Sequence, residues 1–288
     1  VSEVIDPTRS TSAELNRRAF MGLSVAATAG AAVTAQALAA DLELGKTHTP
    51  LVAEDDPAIV VQHVKLDRPG GSIDAYAASP KNATASTPSL VVVMHIWGVD
   101  TSIRDVVRRY AKAGYNAIAP DLYARFGAPS GDGVTDIDLF RPAYKQLDRT
   151  QYDGDISAAH AWLKQKAPQG NVGVTGFCMG GHVVLIQALD NGALFSAAAP
   201  FYGDVKEIDP LKIQIPICGS YGARDKSIPA DDVRAFASKL AVPHDIKIYD
   251  EAGHAFFDDQ RGAYVASAAD DAWTRVLAFF KTHIGGPA

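Results

Sequence analysis

The chain has 288 residues, 47% of them hydrophobic and 21% charged, a composition that excludes a disordered chain and supplies apolar material for one sizeable core. Its formal net charge is -6, and no basic run breaks that average, which argues against nucleic acid as a partner because phosphate binding wants a basic patch. Two cysteines rule out a dense disulfide framework, and the eight histidines are scattered without metal-ligand spacing, so no metal site is expected.

In chain order, the first feature is N-R-R-A-F (Asn16 to Phe20), an alanine-rich apolar stretch to Ala37, then A-L-A-A-D. A charged region, a greasy region and small residues in this order predict an export signal over residues 1–40, cleaved near Ala39 or Ala40. The paired Arg17 and Arg18 point to the twin-arginine route and a periplasmic or secreted destination. Thr28, Gly30, Thr34 and Gln36 interrupt the apolar stretch. A stable span wants ~20 predominantly apolar residues, so no membrane span is expected after cleavage. Residues 41–57 read as a polar, extended segment, and residues 58–288 as one domain.

Within that domain Ile59 to Leu66 and Ser72 to Ala78 flank Pro69-Gly70-Gly71 and predict a hairpin. Leu90 to Met94 and Tyr115 to Ala119 are short continuous apolar runs, expected of strands buried on both faces. Helices are expected over Ser102 to Ala113 and, as two pieces, over Asp136 to Ala167. Val172 to Thr175 is a strand, Gly176 to Gly181 a tight turn, and Gly180 to Leu189 a helix. Strands at Phe195 to Tyr202, Ile213 to Tyr221 and His244 to Tyr249 follow, with helices at Ala230 to Leu240 and about Ala263 to His283. Alternating strands and helices predict an α/β fold, a mostly parallel central sheet with helices on both faces.

The turn G-F-C-M-G-G joins a buried strand to a helix, with Cys178 where a G-x-[nucleophile]-x-G elbow carries its nucleophile. Gly176 and Gly180 remove side chains that would clash there, and the helix N-terminus favours a thiolate. The alternative is a buried structural cysteine in a glycine-rich turn. Asp225, in G-A-R-D, and His254, in E-A-G-H-A-F, each follow a later strand, in the order nucleophile, acid, histidine. The backbone N–H groups of Met179 and of Ile96, in the loop after the strand Leu90 to Met94, are candidates for an oxyanion hole. Trp97, Phe126, Phe201 and Tyr202 follow strands and serve either a pocket mouth or plain packing. Cys218 sits in an apolar strand and reads as core.

These residues, with I-W-G-V (Ile96 to Val99), A-P-D-L-Y-A-R (Ala119 to Arg125) and Y-V-A-S-A-A (Tyr264 to Ala269), resemble the dienelactone hydrolases from about residue 58 onward. The resemblance implies an α/β-hydrolase fold, a Cys–Asp–His triad of Cys178, Asp225 and His254, no cofactor, and hydrolysis of a small-molecule ester or lactone. It also implies that Arg125 grips a substrate carboxylate. Two positions depart from the family. His95 stands where the family has a glutamate that modulates the thiol, and serves either as a titrating base or as a packing histidine. Asp258 stands where the family has a second arginine, and a carboxylate there would repel the substrate's own. A broader carboxylesterase or thioesterase, a binding protein on a hydrolase scaffold, and a thiol redox sensor are the competing readings; the oligomeric state is unspecified.

Overall fold

The computed structural model describes residues 50–286. The predicted export signal, its cleavage site and residues 41–49 of the predicted extended segment lie outside the described residues. Eight strands form one sheet in the order β1-β2-β4-β3-β5-β6-β7-β8. Two ten-residue strands, β1 (Ile59–Arg68) and β2 (Gly71–Pro80), form an antiparallel hairpin that turns at Gly70 and Gly71, both at positive φ. β2 pairs antiparallel with β4 (Asn116–Pro120), and every other pairing is parallel. The inner strands β3 (Ser89–Val93), β5 (Val172–Phe177), β6 (Ala197–Phe201) and β7 (Ile217–Gly222) are buried along their whole length, as continuous apolar runs covered on both faces must be. The sheet ends at β8 (His244–Tyr249), whose alternating burial suits an edge strand.

The helices are α1 (Thr101–Lys112), α2 (Arg141–Gln146), α3 (Arg149–Lys166), α4 (Met179–Asp190), α5 (Ala230–Ala237) and α6 (Ala266–His283). Asp100 caps α1 by accepting the Ile103 N–H, and Asp148 and Gln151 form a reciprocal capping box on α3. From β3 the chain steps one way to β4 and then back across β3 to β5. With right-handed crossovers, that reversal puts α1 on one face and α3, α4 and α5 on the other. The ring contacts Tyr110–Trp273 and Tyr110–Phe280 put α6 on the face of α1.

Several boundaries differ from expectation; β6 starts at Ala197 and α5 stops at Ala237, each a few residues inside the expected range. Three of the differences have a local cause. Residues 50–57 form turns rather than an extended run, because the Leu51 and Val52 N–H groups donate to Asp105 (3.1 and 2.9 Å) and Arg108 Nε donates to the Val52 carbonyl at 2.5 Å. β5 runs on to Phe177, since Gly176 and Phe177 still pair with Pro200 and Phe201. β7 starts only at Ile217, after Pro216, which has no N–H to give a ladder. No helix among the described residues is long and apolar enough to cross a membrane.

Candidate active site

The parallel strands end on a common edge, the place where open α/β sheets build sites. Cys178 follows β5 directly and precedes α4, with φ 56° and ψ −117°. A non-glycine residue at positive φ is strained and persists only where the surroundings fix it. Here the surroundings are backbone. A Cβ on Gly176 would lie 2.5 Å from the Gly180 carbonyl oxygen, and one on Gly180 would lie 2.4 Å from the carbonyl oxygens of both Val93 and Met94. The Cys178 N–H donates to the Phe201 carbonyl at 3.1 Å. The elbow is therefore locked to β3 and β6 on either side.

The structure brings Cys178, His254 and Asp225 together. His254 Nε2 lies 3.0 Å from Cys178 Sγ, and His254 Nδ1 lies 2.7 Å from Asp225 Oδ2. Asp225 follows β7; its other oxygen accepts the N–H groups of Ser227 (2.8 Å) and Ile228 (3.1 Å). Tyr202, at φ 37° after β6, packs its ring edge-on against His254, centroids 5.2 Å apart. Burial opposes charge at all three members of the hydrogen-bonded chain, and their mutual contacts overcome it. Burial alone raises the Cys178 thiol, but the His254 hydrogen bond and charge, the Met179 N–H and His95 hold it below the ordinary thiol value. Burial lowers His254, yet Asp225 and Cys178 push it up to about 10. Burial raises Asp225, but His254 and the two backbone N–H groups hold it below the usual carboxylate range. All three shifts run in the direction of the ionised forms.

Beneath the pair lies a buried charge cluster. His95 Nε2 is 2.9 Å from Asp100 Oδ1, and His95 Nδ1 is 3.4 Å from Asp258 Oδ2. Arg261 reaches both carboxylates, at 3.0 Å from Asp100 and 3.3 Å from Asp258. Burial pulls His95 down, but Asp100 and Asp258 outweigh it and Arg261 together, so the net shift is upward. Neither Asp100 nor Arg261 was marked as a site residue by the sequence, although Asp100 has the residue type and place of a helix cap.

A cavity of about 610 Å³ opens over Cys178, with Ile96, Met179, Tyr202 and His254 in its wall. Three expectations need correction. Arg125 does not line this cavity: one of its nitrogens lies 2.6 Å from each oxygen of Asp155, whose side chain is fully buried and also lies 2.7 Å from Arg68. Trp97 faces a separate hollow of about 520 Å³ beside Asp132 and Val134, where the Arg261 guanidinium covers its ring at 3.8 Å. Asp258 is buried under His95 and Arg261 and does not face the cavity. Phe201 is fully buried among Phe177 and Phe257, and Phe126 lies under the Arg125 guanidinium. Cys218 is buried in β7, its thiol raised by burial to about 12, and neither cysteine forms a disulfide.

The sequence profile of the dienelactone hydrolase family matches residues 73–284. The chain is 34% identical over 252 residues to a protein assigned as a carboxymethylenebutenolidase in Escherichia coli (strain K12), covering 82% of this chain and 92% of that one. A protein of the same assignment from Methylorubrum extorquens is 33% identical over 285 residues, 93% of this chain and 94% of the relative. Among solved structures, a protein of Klebsiella pneumoniae assigned as a dienelactone hydrolase superimposes with a TM-score of 0.72 at 33% identity, covering 78% of this chain and 100% of that one.

Proposed function

The chain belongs to the dienelactone hydrolase family, and from that premise we propose that it cleaves an ester or lactone through a Cys178 thiolate, with His254 as proton shuttle and Asp225 as its orienting carboxylate. The observation that carries this reading is the unbroken chain from Cys178 Sγ to His254 Nε2 (3.0 Å) and from His254 Nδ1 to Asp225 Oδ2 (2.7 Å). The thiolate attacks the carbonyl carbon, and the carbonyl π pair moves onto oxygen. The N–H groups of Met179 and Ile96 receive that oxyanion; support comes from the Met179 N–H, which helps hold the Cys178 thiol down, and from Met179 and Ile96 both lying in the cavity wall. Collapse breaks the carbon–oxygen bond, and the leaving alkoxide takes the proton of the His254 imidazolium. His254 then removes a proton from water, hydroxide attacks the thioester, and the thiolate leaves as the acid is released. Asp225 holds the imidazole in the tautomer both steps require.

His95 acts on the thiol from behind. Held between Asp100 and Asp258, it supplies positive charge that favours the thiolate. We further propose that residues 1–40 direct export by the twin-arginine route, on the strength of Arg17, Arg18 and the apolar stretch that follows.

The test of the reaction is turnover of nitrophenyl acetate, nitrophenyl butyrate and dienelactone by the wild type and by Cys178→Ala. The proposal expects one of them to be turned over and the variant to lose about 10⁴-fold or more in kcat. Equal activity of the variant, or no hydrolysis of any of them by wild type, would replace this reading with a different nucleophile or with a binding role.

A further inference from the structure

The Cys178 cavity is walled by apolar side chains on several elements, among them Ile96, Leu147, Tyr152, Val183, Ile186 and Ile228. No lysine or arginine is among the described residues that line it. Its acidic wall residue is Asp204. The cation at its floor, the His254 imidazolium, is already held by Asp225 and Cys178. His182, also in the wall, spends Nδ1 on the Asp204 carbonyl at 2.6 Å. The arginine that would be expected to receive a carboxylate, Arg125, is committed to Asp155.

We propose that the acyl part of the substrate is uncharged and apolar, so that this site takes neutral aliphatic or aryl esters and unsubstituted lactones and rejects substrates bearing a carboxylate. The inference rests on the thiol-hydrolase reading of the same site. A substrate carboxylate entering this cavity leaves water and finds no uncommitted cation to pair with, which is costly for any charged group. It also approaches Asp204 and the anionic sulfur, and like charges at short range repel. An aliphatic chain of the same length instead covers the walls and gains by removing apolar surface from water. The volume, about 610 Å³, falls in the ordinary range for small-molecule sites.

The experiment compares two esters that differ at one end: nitrophenyl hexanoate and the mono-nitrophenyl ester of adipic acid, in which a carboxylate replaces the terminal methyl group. Each is assayed near neutral pH with wild type, Cys178→Ala and Asp204→Asn. The expected result is a kcat/KM higher for the hexanoate by about 100-fold, lost for both esters in Cys178→Ala, with a smaller ratio in Asp204→Asn. Equal rates, or a preference for the adipate, both abolished by Cys178→Ala, overturn this inference and leave the nucleophile assignment standing. Hydrolysis of neither ester by wild type, or full activity in Cys178→Ala, overturns the thiol-hydrolase reading and this inference with it.

Discussion

Cys178 sits at a strained positive φ, between two glycines pressed against backbone, and its neighbours hold its thiol below the ordinary value against the effect of burial. A thiol with its pKa held down deprotonates early as pH rises. Alkylation by iodoacetamide is therefore expected to increase through a midpoint below the ordinary thiol value of about 8.5. His254→Gln removes the largest stabilising partner, and His95→Gln a smaller one. Both variants shift the alkylation midpoint upward, His254→Gln further, as a pH series of alkylation rates measures directly; an unmoved midpoint in His95→Gln would assign that residue to packing alone. The same charges shape catalysis. On the proposed mechanism, a pH series of kcat/KM is expected to fall on the acid side as the thiolate is protonated and on the alkaline side as the imidazolium, at about 10, loses its proton. At this scale the sequence carried the three residues that the structure brings together, because an elbow needs small residues at fixed offsets from its central residue, and Asp225 and His254 follow later strands. It misled on Arg125 and Asp258, because the partner that decides what a charged side chain does is set by tertiary packing. Nothing near Arg125 in the chain announces Asp155, and nothing near Asp258 announces His95.

Among the elements, the elbow between β5 and α4 depends on two backbone approaches that leave no room for a methyl group. Gly180→Ala would press a carbon to 2.4 Å from the carbonyls of Val93 and Met94. Neither partner is a flexible side-chain end, so β3 or α4 must move, at a cost of about 1–3 kcal/mol. Denaturant unfolding is expected to register that loss together with reduced activity; an unchanged midpoint would mean that the elbow is softer than its contacts indicate. The Asp155 cluster makes a different prediction. Asp155 on α3 joins Arg68 on β1 to Arg125 after β4 with its side chain fully out of water. Asp155→Ala leaves those two guanidinium groups uncompensated and is expected to cost about 3–5 kcal/mol, while the alkylation midpoint of Cys178 stays where it was. A shifted midpoint would show the cluster to be coupled to the site. The inner strands were legible because continuous apolar runs have few other uses at that length. The turns over residues 50–57 were not, because the side chains that hold them, among them Asp105, Arg108 and Lys112 on α1 and Tyr76 on β2, lie far off in the sequence.

For the whole molecule, one sheet edge gathers residues from after β3, β5, β6, β7 and β8, and the family assignment rests on most of that chain. The export proposal is tested by replacing Arg17 and Arg18 together with lysine in the full-length chain. The wild type is expected outside the cytoplasm with a mature N-terminus near Asp41, and the double variant is expected to be retained; export of the variant through the same route would remove the twin-arginine assignment. On the export proposal the Cys178 thiol would meet an oxidising compartment, whereas Cys218 is fully buried.

The central claim is a covalent one: during turnover, the acyl group sits on Cys178. The most direct measurement is mass spectrometry of the protein quenched in acid within the first turnovers of nitrophenyl butyrate, followed by peptide mapping. The account predicts a butyryl thioester on the peptide carrying Cys178 and on no other, absent from Cys178→Ala. Hydrolysis without that adduct in wild type, or an equal adduct elsewhere in the variant, would contradict it.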